Sequence, residues 1–345
     1  MQELKKRKIR VSRVNESITN PDGTVTVTKG NVYEERPFRS VENIVTYLKN
    51  DPEYSTKLKY NLFTNYLEYD GERISEDVIG RIRCAVERNL GFYSPTKVKY
   101  AIDAITGEKI NAYHPIKDYL DSLVWDGKSR VETMFIDWFN TDDSPLIRAY
   151  AKTWMKAAIK RIMEPGCKFD NVLLFINDPN ASRSTFCQQL TNKNVHIGGN
   201  YINNIREYAP LLNLGWICSV NEAIGKTKKQ LGWTREMFFK NEDTFMPFFE
   251  KNYVTYKRHC VFTGWTHNEE FLKYNSLSPD SKYWIIDCSD TDESYIFYNF
   301  TDDIVNQLWA EAYYMYRNDP DIYKEIEEID KMIKGYTHKN QNNEI

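Results

Sequence analysis

Residues Val172 to Leu190 read V-L-L-F-I-N-D-P-N-A-S-R-S-T-F-C-Q-Q-L. The apolar run Val172 to Ile176 predicts a buried strand, small polar residues follow it, and a helix-compatible segment begins at Ser184-Thr185. Strand, loop and helix in that order make up a phosphate-binding loop, in which backbone N–H groups and a helix N-terminus surround a nucleotide's phosphates. The spacing G-x-x-x-x-G-K-[ST] falls on Asn177, Ser182, Arg183 and Ser184, so the frame is present while both glycines and the lysine are absent. Asn177, Asn180, Ser182, Arg183, Ser184 and Thr185 are the candidate phosphate-contacting residues. Spacing alone leaves open a phosphate loop that has lost its chemistry and a loop of another kind.

Outward from this stretch, strands and helices alternate. Asp143 or Ser144 followed by Pro145 starts a helix that runs to Met163, where Glu164-Pro165-Gly166 stops it. Its apolar face is Leu146, Ala149, Tyr150, Thr153, Trp154, Ala157, Ala158 and Ile162. Further strands are expected at Gly215 to Val220, Cys260 to Trp265 and Tyr283 to Asp287, with helical stretches near Leu231–Lys240 and Leu308–Arg317. The alternation predicts one α/β domain over 116–318 with a mostly parallel sheet. Residues 319–345 read as a charged tail ending in a frayed helix.

Upstream, Lys5, Lys6, Arg7, Lys8, Arg10 and Arg13 make residues 1–35 a basic, weakly ordered arm with a turn at Pro21-Asp22-Gly23 and a short alternating strand. Such an arm can hold phosphates or be a solvated tail. Residues 36–115 predict a small α/β or helical, winged-helix-like module. Ser40 caps a helix through Leu48, and a hairpin spans Tyr60 to Tyr69. Ser75 and Gly91 bracket a helix over Ile74 to Leu90, and another covers Ser94 to Thr106.

With 345 residues the chain can hold two or three domains, and a net charge of −3 provides no global pull toward nucleic acid or membrane, so any such attraction is local. Six scattered cysteines without a C-x-x-C pair fit free thiols in a reducing cytoplasm. No apolar segment follows the basic N-terminus as in a signal peptide, and no run approaches the roughly 20 residues that span a bilayer. The expectation is a cytoplasmic protein with no membrane contact. His259, Cys260 and His267 could suggest a metal, as could Asp287, Asp290, Asp292 and Glu293, but core packing and a solvated loop explain them, and no metal is expected. Lys226, Lys228 and Lys229 follow the second core strand and could face nucleic acid or solvent.

Several stretches taken together resemble the virulence-associated protein E family. They are Tyr113-His114-Pro115 to Leu123, W-D-G-K-S-R at 125–130, E-P-G-C-K-F-D at 164–170, C-V-F-T-G at 260–264 and Q-L-W-A-E-A at 307–312. The resemblance covers about residues 40–318. It implies a P-loop NTPase-like (RecA/AAA-like) core, assembly into a ring, and ATP-driven translocation on DNA. Those properties belong to the primase-helicases of phages and mobile islands, which are similar to superfamily 3 helicases.

The resemblance also implies specific departures. The family's G-P-Q-G-I-G-K-S-T becomes Asn177 to Thr185, with three glycine positions filled, a proline that cannot donate at 179 and an aspartate at 178. Arg183 stands in the lysine's place and is not a like-for-like cation; only Ser184, the magnesium ligand of the family, is kept in kind. After Trp216-Ile217-Cys218 the first carboxylate is missing and Glu222 occupies the water-polarising position. His267 takes the place of the family's asparagine, with Asn268 one residue later, and of the N-R-R-F-W arginines only Lys282 remains as a cation. Four changed elements lead to the expectation of a pseudo-ATPase from a mobile genetic element that acts by binding DNA, a replication protein or helicase, or copies of itself, and that interferes with replication. No cofactor is expected, with ATP and Mg2+ relevant only if the divergent site works. The alternatives are an active ATP-dependent DNA helicase using Arg183 and Ser184, and a structural DNA-binding module using the basic arm.

Overall fold

In the computed structural model the chain divides into two compact units, Met1–Pro115 and Ile116–Ile345. The structure describes residues 3–91, 93–177, 182–191, 196–199, 205–220, 236–246, 252–266 and 282–343.

The first unit begins with an antiparallel pair, β1 (Lys6–Thr19) and β2 (Val25–Pro37). Residues 6–37 therefore form a long ribbon and not the weakly ordered arm their charge suggested. The turn is fixed locally: Gly23 takes a φ of +83°, and Asp22 Oδ1 accepts from the Thr24 N–H and hydroxyl. Lys6, Lys8 and Arg10 alternate onto one face of β1, Arg7 lies on the other, and all four are exposed. Lys5 pairs with Glu42 at 2.7 Å, and the side chain of Arg13 lies outside the described residues.

Next come α1 (Val41–Asn50), α2 (Pro52–Lys57), the antiparallel strands β3 (Leu58–Asn61), β4 (Tyr66–Tyr69) and β5 (Glu72–Arg73), then α3 (Glu76–Leu90) and α4 (Pro95–Gly107). Ser40 Oγ accepts the Asn43 N–H at 3.2 Å and Ser75 Oγ accepts the Val78 N–H at 3.4 Å, the caps expected from sequence. The apolar helix faces meet in a core that includes Ile44, Leu48, Ile82, Val86, Ala101 and Ile105.

The second unit opens with α5 (Pro115–Ser122), α6 (Met134–Phe139) and α7 (Pro145–Met163). Then follow β6 (Val172–Ile176), α8 (Ser182–Leu190), β7 (His196–Gly199), α9 (Ile205–Leu212) and β8 (Ile217–Val220). An antiparallel pair, β9 (Glu242–Phe245) and β10 (Val254–Lys257), precedes β11 (Val261–Thr266) and β12 (Tyr283–Asp287). The helices α10 (Glu293–Asn299), α11 (Asp302–Asn318) and α12 (Tyr323–Asn343) complete it.

The main sheet has the order β12-β6-β11-β8-β7, and each of its pairings is parallel. This is a mixed α/β fold around a parallel sheet. One face of β6 (Val172, Leu174) joins Cys218, Val220 and Phe262 against Leu212, Met237 and Phe238. On the other face Phe175 meets Phe135 and Phe139 at ring separations of 6.1 and 5.1 Å, and Phe186 packs on Phe139 at 5.0 Å. Burial on both sides is why V-L-L-F-I is a continuous apolar run rather than an alternating one.

From Thr153 to Ile162 the helix α7 is buried all round and not only along the expected stripe: Met155, Lys156, Ile159, Lys160 and Arg161 are also inside. Its cations are matched. Lys156 Nζ donates to Glu325 at 2.7 Å, Lys160 pairs with Glu164 at 2.8 Å, and Arg161 donates to the Phe169 carbonyl at 2.9 Å. Glu325 belongs to α12, so Tyr323–Asn343 is not a free charged tail; α12 packs on α7 and Glu325 pairs with its Lys156.

Two of the stretches that carry the family resemblance interlock. Glu311, fully buried in α11, accepts from Ser129 Oγ (2.8 Å), the Arg130 N–H (2.6 Å) and the Val131 N–H (2.9 Å). Gln307 accepts the Asp126 N–H and donates to the Val124 carbonyl. Arg130 donates to both carboxylate oxygens of Asp126, at 2.8 and 2.7 Å, and holds that carboxyl well below the usual carboxylate range. W-D-G-K-S-R is thus the partner of Q-L-W-A-E-A.

Removing the Glu311 carboxylate leaves buried N–H donors unsatisfied, so Glu311→Ala should lower stability by about 3 kcal/mol in urea denaturation. Burial pushes the Tyr119 phenol up to about 12, while its hydroxyl donates to Asn306 Oδ1 at 2.7 Å. The folded chain therefore favours the neutral phenol. This contribution is complete below the unfolded value near 10 and is lost as pH rises toward about 12. In Tyr119→Phe the melting temperature should fall less steeply over that window.

Candidate functional site

Because the sheet is parallel, β6, β8, β11 and β12 all end on one edge, with Ile176, Val220, Thr266 and Asp287 as their last residues. Ligands of open α/β sheets bind outside this carboxyl edge. Asn177 leaves β6 in the left-handed region, with a φ of +53°. Asparagine tolerates that conformation because its short polar side chain bonds locally. Here the Asn177 amide donates to both carboxylate oxygens of Asp287, each at 3.2 Å. Asp287 is held in turn: its Oδ1 accepts the Ser289 N–H at 3.0 Å, and the Cys288 N–H extends the ladder to the Ile176 carbonyl at 2.9 Å.

Arg183 lies in the first turn of α8 with only 5% of its surface exposed. Its guanidinium sits 4.3 Å from the centroid of the Trp265 ring, a cation–π distance, near the end of β11. Phe186 and Cys187 anchor the same helix, the latter with its Sγ 3.8 Å from Thr263 Oγ1. Ser184 and Thr185 are half-buried on α8. The site thus joins a loop amide, a carboxylate from the neighbouring strand, and an arginine stacked on an indole.

Sequence reasoning places Asp287 at a strand end and in an acidic loop that could suggest a metal, and Trp265 in a strand, and assigns neither to the phosphate loop. The register that sets Asp287 beside Ile176 is the signal that would have found it. Lys282 lies at the opposite edge of the sheet, where its carbonyl accepts the Val172 N–H at 2.8 Å, so it is not brought to Asn177 within one chain. Asn180, Glu222, Lys226, Lys228, Lys229, His267 and Asn268 lie outside the described residues, as does the side chain of Ser182. His259 and Cys260 are buried just before β11, at its other end. Among the described residues no three His, Cys, Asp or Glu side chains are grouped as metal donors, and no helix is long and apolar enough to cross a membrane.

The profile of the virulence-associated protein E-like domain matches residues 120–344, which include every strand of the parallel sheet. The chain belongs to this family. No curated protein matches it. Among solved structures, an A-form apo structure of the NrS-1 C-terminal region is 12% identical, with a TM-score of 0.39, over 56% of this chain and 48% of that one. A second, of residues 305–718 of the same region, is 13% identical with a TM-score of 0.46, over 79% and 68%. The chain spans about half the length of the first of these. The E-P-G-C-K-F-D stretch precedes β6: the Gly166 N–H donates to the Arg258 carbonyl, and Arg258 forms a buried pair with Asp243 at 2.6 Å.

The left-handed Asn177 yields a direct test. Asn177→Gly should leave stability near wild type, and Asn177→Ala should lose about 1 kcal/mol, read by thermal melting.

Proposed function

We propose that this virulence-associated protein E-like protein serves replication of a mobile genetic element, phage or genomic island, as a pseudo-ATPase that acts by binding rather than by hydrolysis. On this reading the second unit is a P-loop NTPase-like core and the first a winged-helix-like module. The observation that carries the reading is the disposition of Arg183. At the position where a phosphate loop extends a lysine, this cation is buried and stacked on Trp265. At the end of β6, the Asn177 amide is engaged by the Asp287 carboxylate, whose negative charge opposes a triphosphate at that edge. Both features weigh against nucleotide phosphates at that edge and support the reading of a protein that works by binding.

The binding partners proposed are DNA, a replication protein or helicase, and further copies of the chain in a ring. The DNA contact rests on the exposed Lys6, Lys8 and Arg10 face of β1, since clustered cations hold phosphates in a salt-dependent way. A subunit of this kind in a mixed ring would interrupt its ATPase cycle, which makes interference with replication its effect.

Titration of Mg-ATP is expected to leave the melting temperature unchanged, and phosphate release is expected at background with or without single-stranded DNA. Robust turnover that disappears in Arg183→Ala or Glu222→Gln would show an active divergent helicase instead. Replacing Lys6, Lys8 and Arg10 by alanine should weaken DNA binding and reduce its salt dependence, in a gel-shift series over salt concentration.

A further inference from the structure

We propose that the ledge formed by α10 and the end of α6 is a docking surface for a positively charged, arginine-bearing segment of another protein. It gives a place and a chemistry to the binding role described above, and rests on that role.

α10 leaves one side unpartnered. Ile296 faces inward, while Tyr295, Phe297 and Tyr298 fill the opposite arc and are 50%, 58% and 76% exposed. The Phe297 and Tyr298 rings meet edge to face at 5.1 Å, and the half-buried Trp138 ring lies 5.6 Å from Tyr295. The ledge is held from beneath. Trp138 also packs on Phe300 at 4.8 Å, Thr291 Oγ1 donates to the Phe139 carbonyl at 3.0 Å, and Gln189 Nε2 donates to the Phe297 carbonyl at 3.2 Å. Adjacent exposed aromatics on a seated helix are the side-chain type that anchors protein interfaces.

The charge around these rings has one sign. Two segments meet here, and the sequence has no lysine or arginine between Arg130 and Arg148 or between Lys282 and Arg317. Within those limits Asp137, Asp142, Asp290 and Asp292 are exposed and Glu293 is half-buried. Asp292 caps α10 by accepting the Ser294 and Tyr295 N–H groups, and Asp137 accepts the Thr133 hydroxyl, so neither is neutralised by these bonds. The cations of neighbouring elements are committed or distant. Arg148 is taken by both carboxylate oxygens of Asp143, at 2.6 and 2.7 Å, with Asp137 and Glu132 also in its field. Arg183 is buried against Trp265. Arg317 stands fifteen residues along α11 from Asp302, about 22 Å at 1.5 Å per residue. Lys193, just after α8, lies outside the described residues.

Such a surface selects its occupant by chemistry. Its charged groups only accept hydrogen bonds, and its ring faces attract cations. Thr141, beside Asp142, is 9% exposed, and its hydroxyl has no partner among the described residues, which leaves one more acceptor for an N–H. A guanidinium can stack on Tyr298 or Phe297 while its N–H fork takes a carboxylate, whereas an ammonium is a compact point charge without that fork. The same carboxylates repel the phosphates of nucleic acid. Charge complementarity therefore points to an arginine-bearing protein segment and away from DNA, whose proposed contact is on β1.

The test uses the full chain and labelled short peptides in fluorescence anisotropy. The peptides alternate glycine with arginine, with lysine or with glutamate. The arginine peptide should bind saturably and about threefold more tightly than the lysine peptide, and the glutamate peptide should not bind. Phe297→Ala with Tyr298→Ala, and separately Asp142→Asn with Asp290→Asn, should each weaken the arginine peptide about tenfold with the melting temperature preserved. Tyr298→Ala alone replaces the first pair should that pair fail to fold. Glu327→Gln with Glu328→Gln, which alters exposed carboxylates on α12, should leave binding unchanged. No binding of the arginine peptide overturns the surface, while the DNA titration and the phosphate-release assay still test the wider reading by themselves. Equal binding of both cationic peptides, untouched by the aromatic change, overturns it as charge alone. Single-stranded oligonucleotide binding that is lost with Phe297→Ala and Tyr298→Ala overturns it in favour of base stacking. Self-association abolished both by that pair and by replacing Lys6, Lys8 and Arg10 overturns it in favour of a second copy of the chain.

Discussion

A carboxylate with no access to water has to find donors within the protein, and Glu311 finds three of them on residues far away in sequence. That demand fixes α11 against the turn at Ser129–Val131. The same helix presents Trp309, which stacks on Trp216 at 4.1 Å and donates its indole N–H to the Leu190 carbonyl at 2.7 Å. One helix therefore ties the turn, the end of α8 and the start of β8 into a single body. The direction of α8 follows, and with it the placement of Arg183 over Trp265. A residue far from the carboxyl edge of the sheet thus governs the geometry found there.

Several charged side chains lie in the interior with partners. Lys156, Lys160 and Arg161 on α7, and the Arg258–Asp243 pair, are all buried with partners. Such pairs add little net stability against apolar replacements, because desolvation offsets the attraction. Their effect is to permit few alternative packings, since a shifted α7 would leave a cation in an apolar environment. The buried cations explain why the sequence of α7 looks amphipathic although no face of it is free.

The legible parts of this chain were those whose causes are local. Ser40, Ser75 and Ser144 cap the helices that their positions announce, and V-L-L-F-I could be read as a doubly covered strand because both of its faces are apolar. The family could be read from stretches such as W-D-G-K-S-R and Q-L-W-A-E-A. What could not be read depends on neighbours brought in by topology. β7 is His-Ile-Gly-Gly, with little strand character of its own, and exists because β8 offers it a parallel edge. The covering role of α12 is invisible without Lys156 underneath it. Asp287 becomes part of the candidate site only through its register beside Ile176, and the composition of β1 conveys its charge but not the long ladder it makes with β2.

The strand order carries a consequence for how the chain reaches this state. β6 lies between β11 and β12, and both are far downstream in sequence. Neither of its lateral partners exists while the intervening polypeptide is still being synthesised. The most apolar strand of the sheet must therefore wait, with α6 on its Phe175 face, while the Val172 and Leu174 face, which packs on the later Leu212, Met237 and Phe238, stays as uncovered as its two edges. Parallel pairing at such sequence separation is slow, and open apolar edges invite association with other chains during the delay. On a ribosome this protein is a late folder, and its yield in a cell depends on how long β6 remains unpaired.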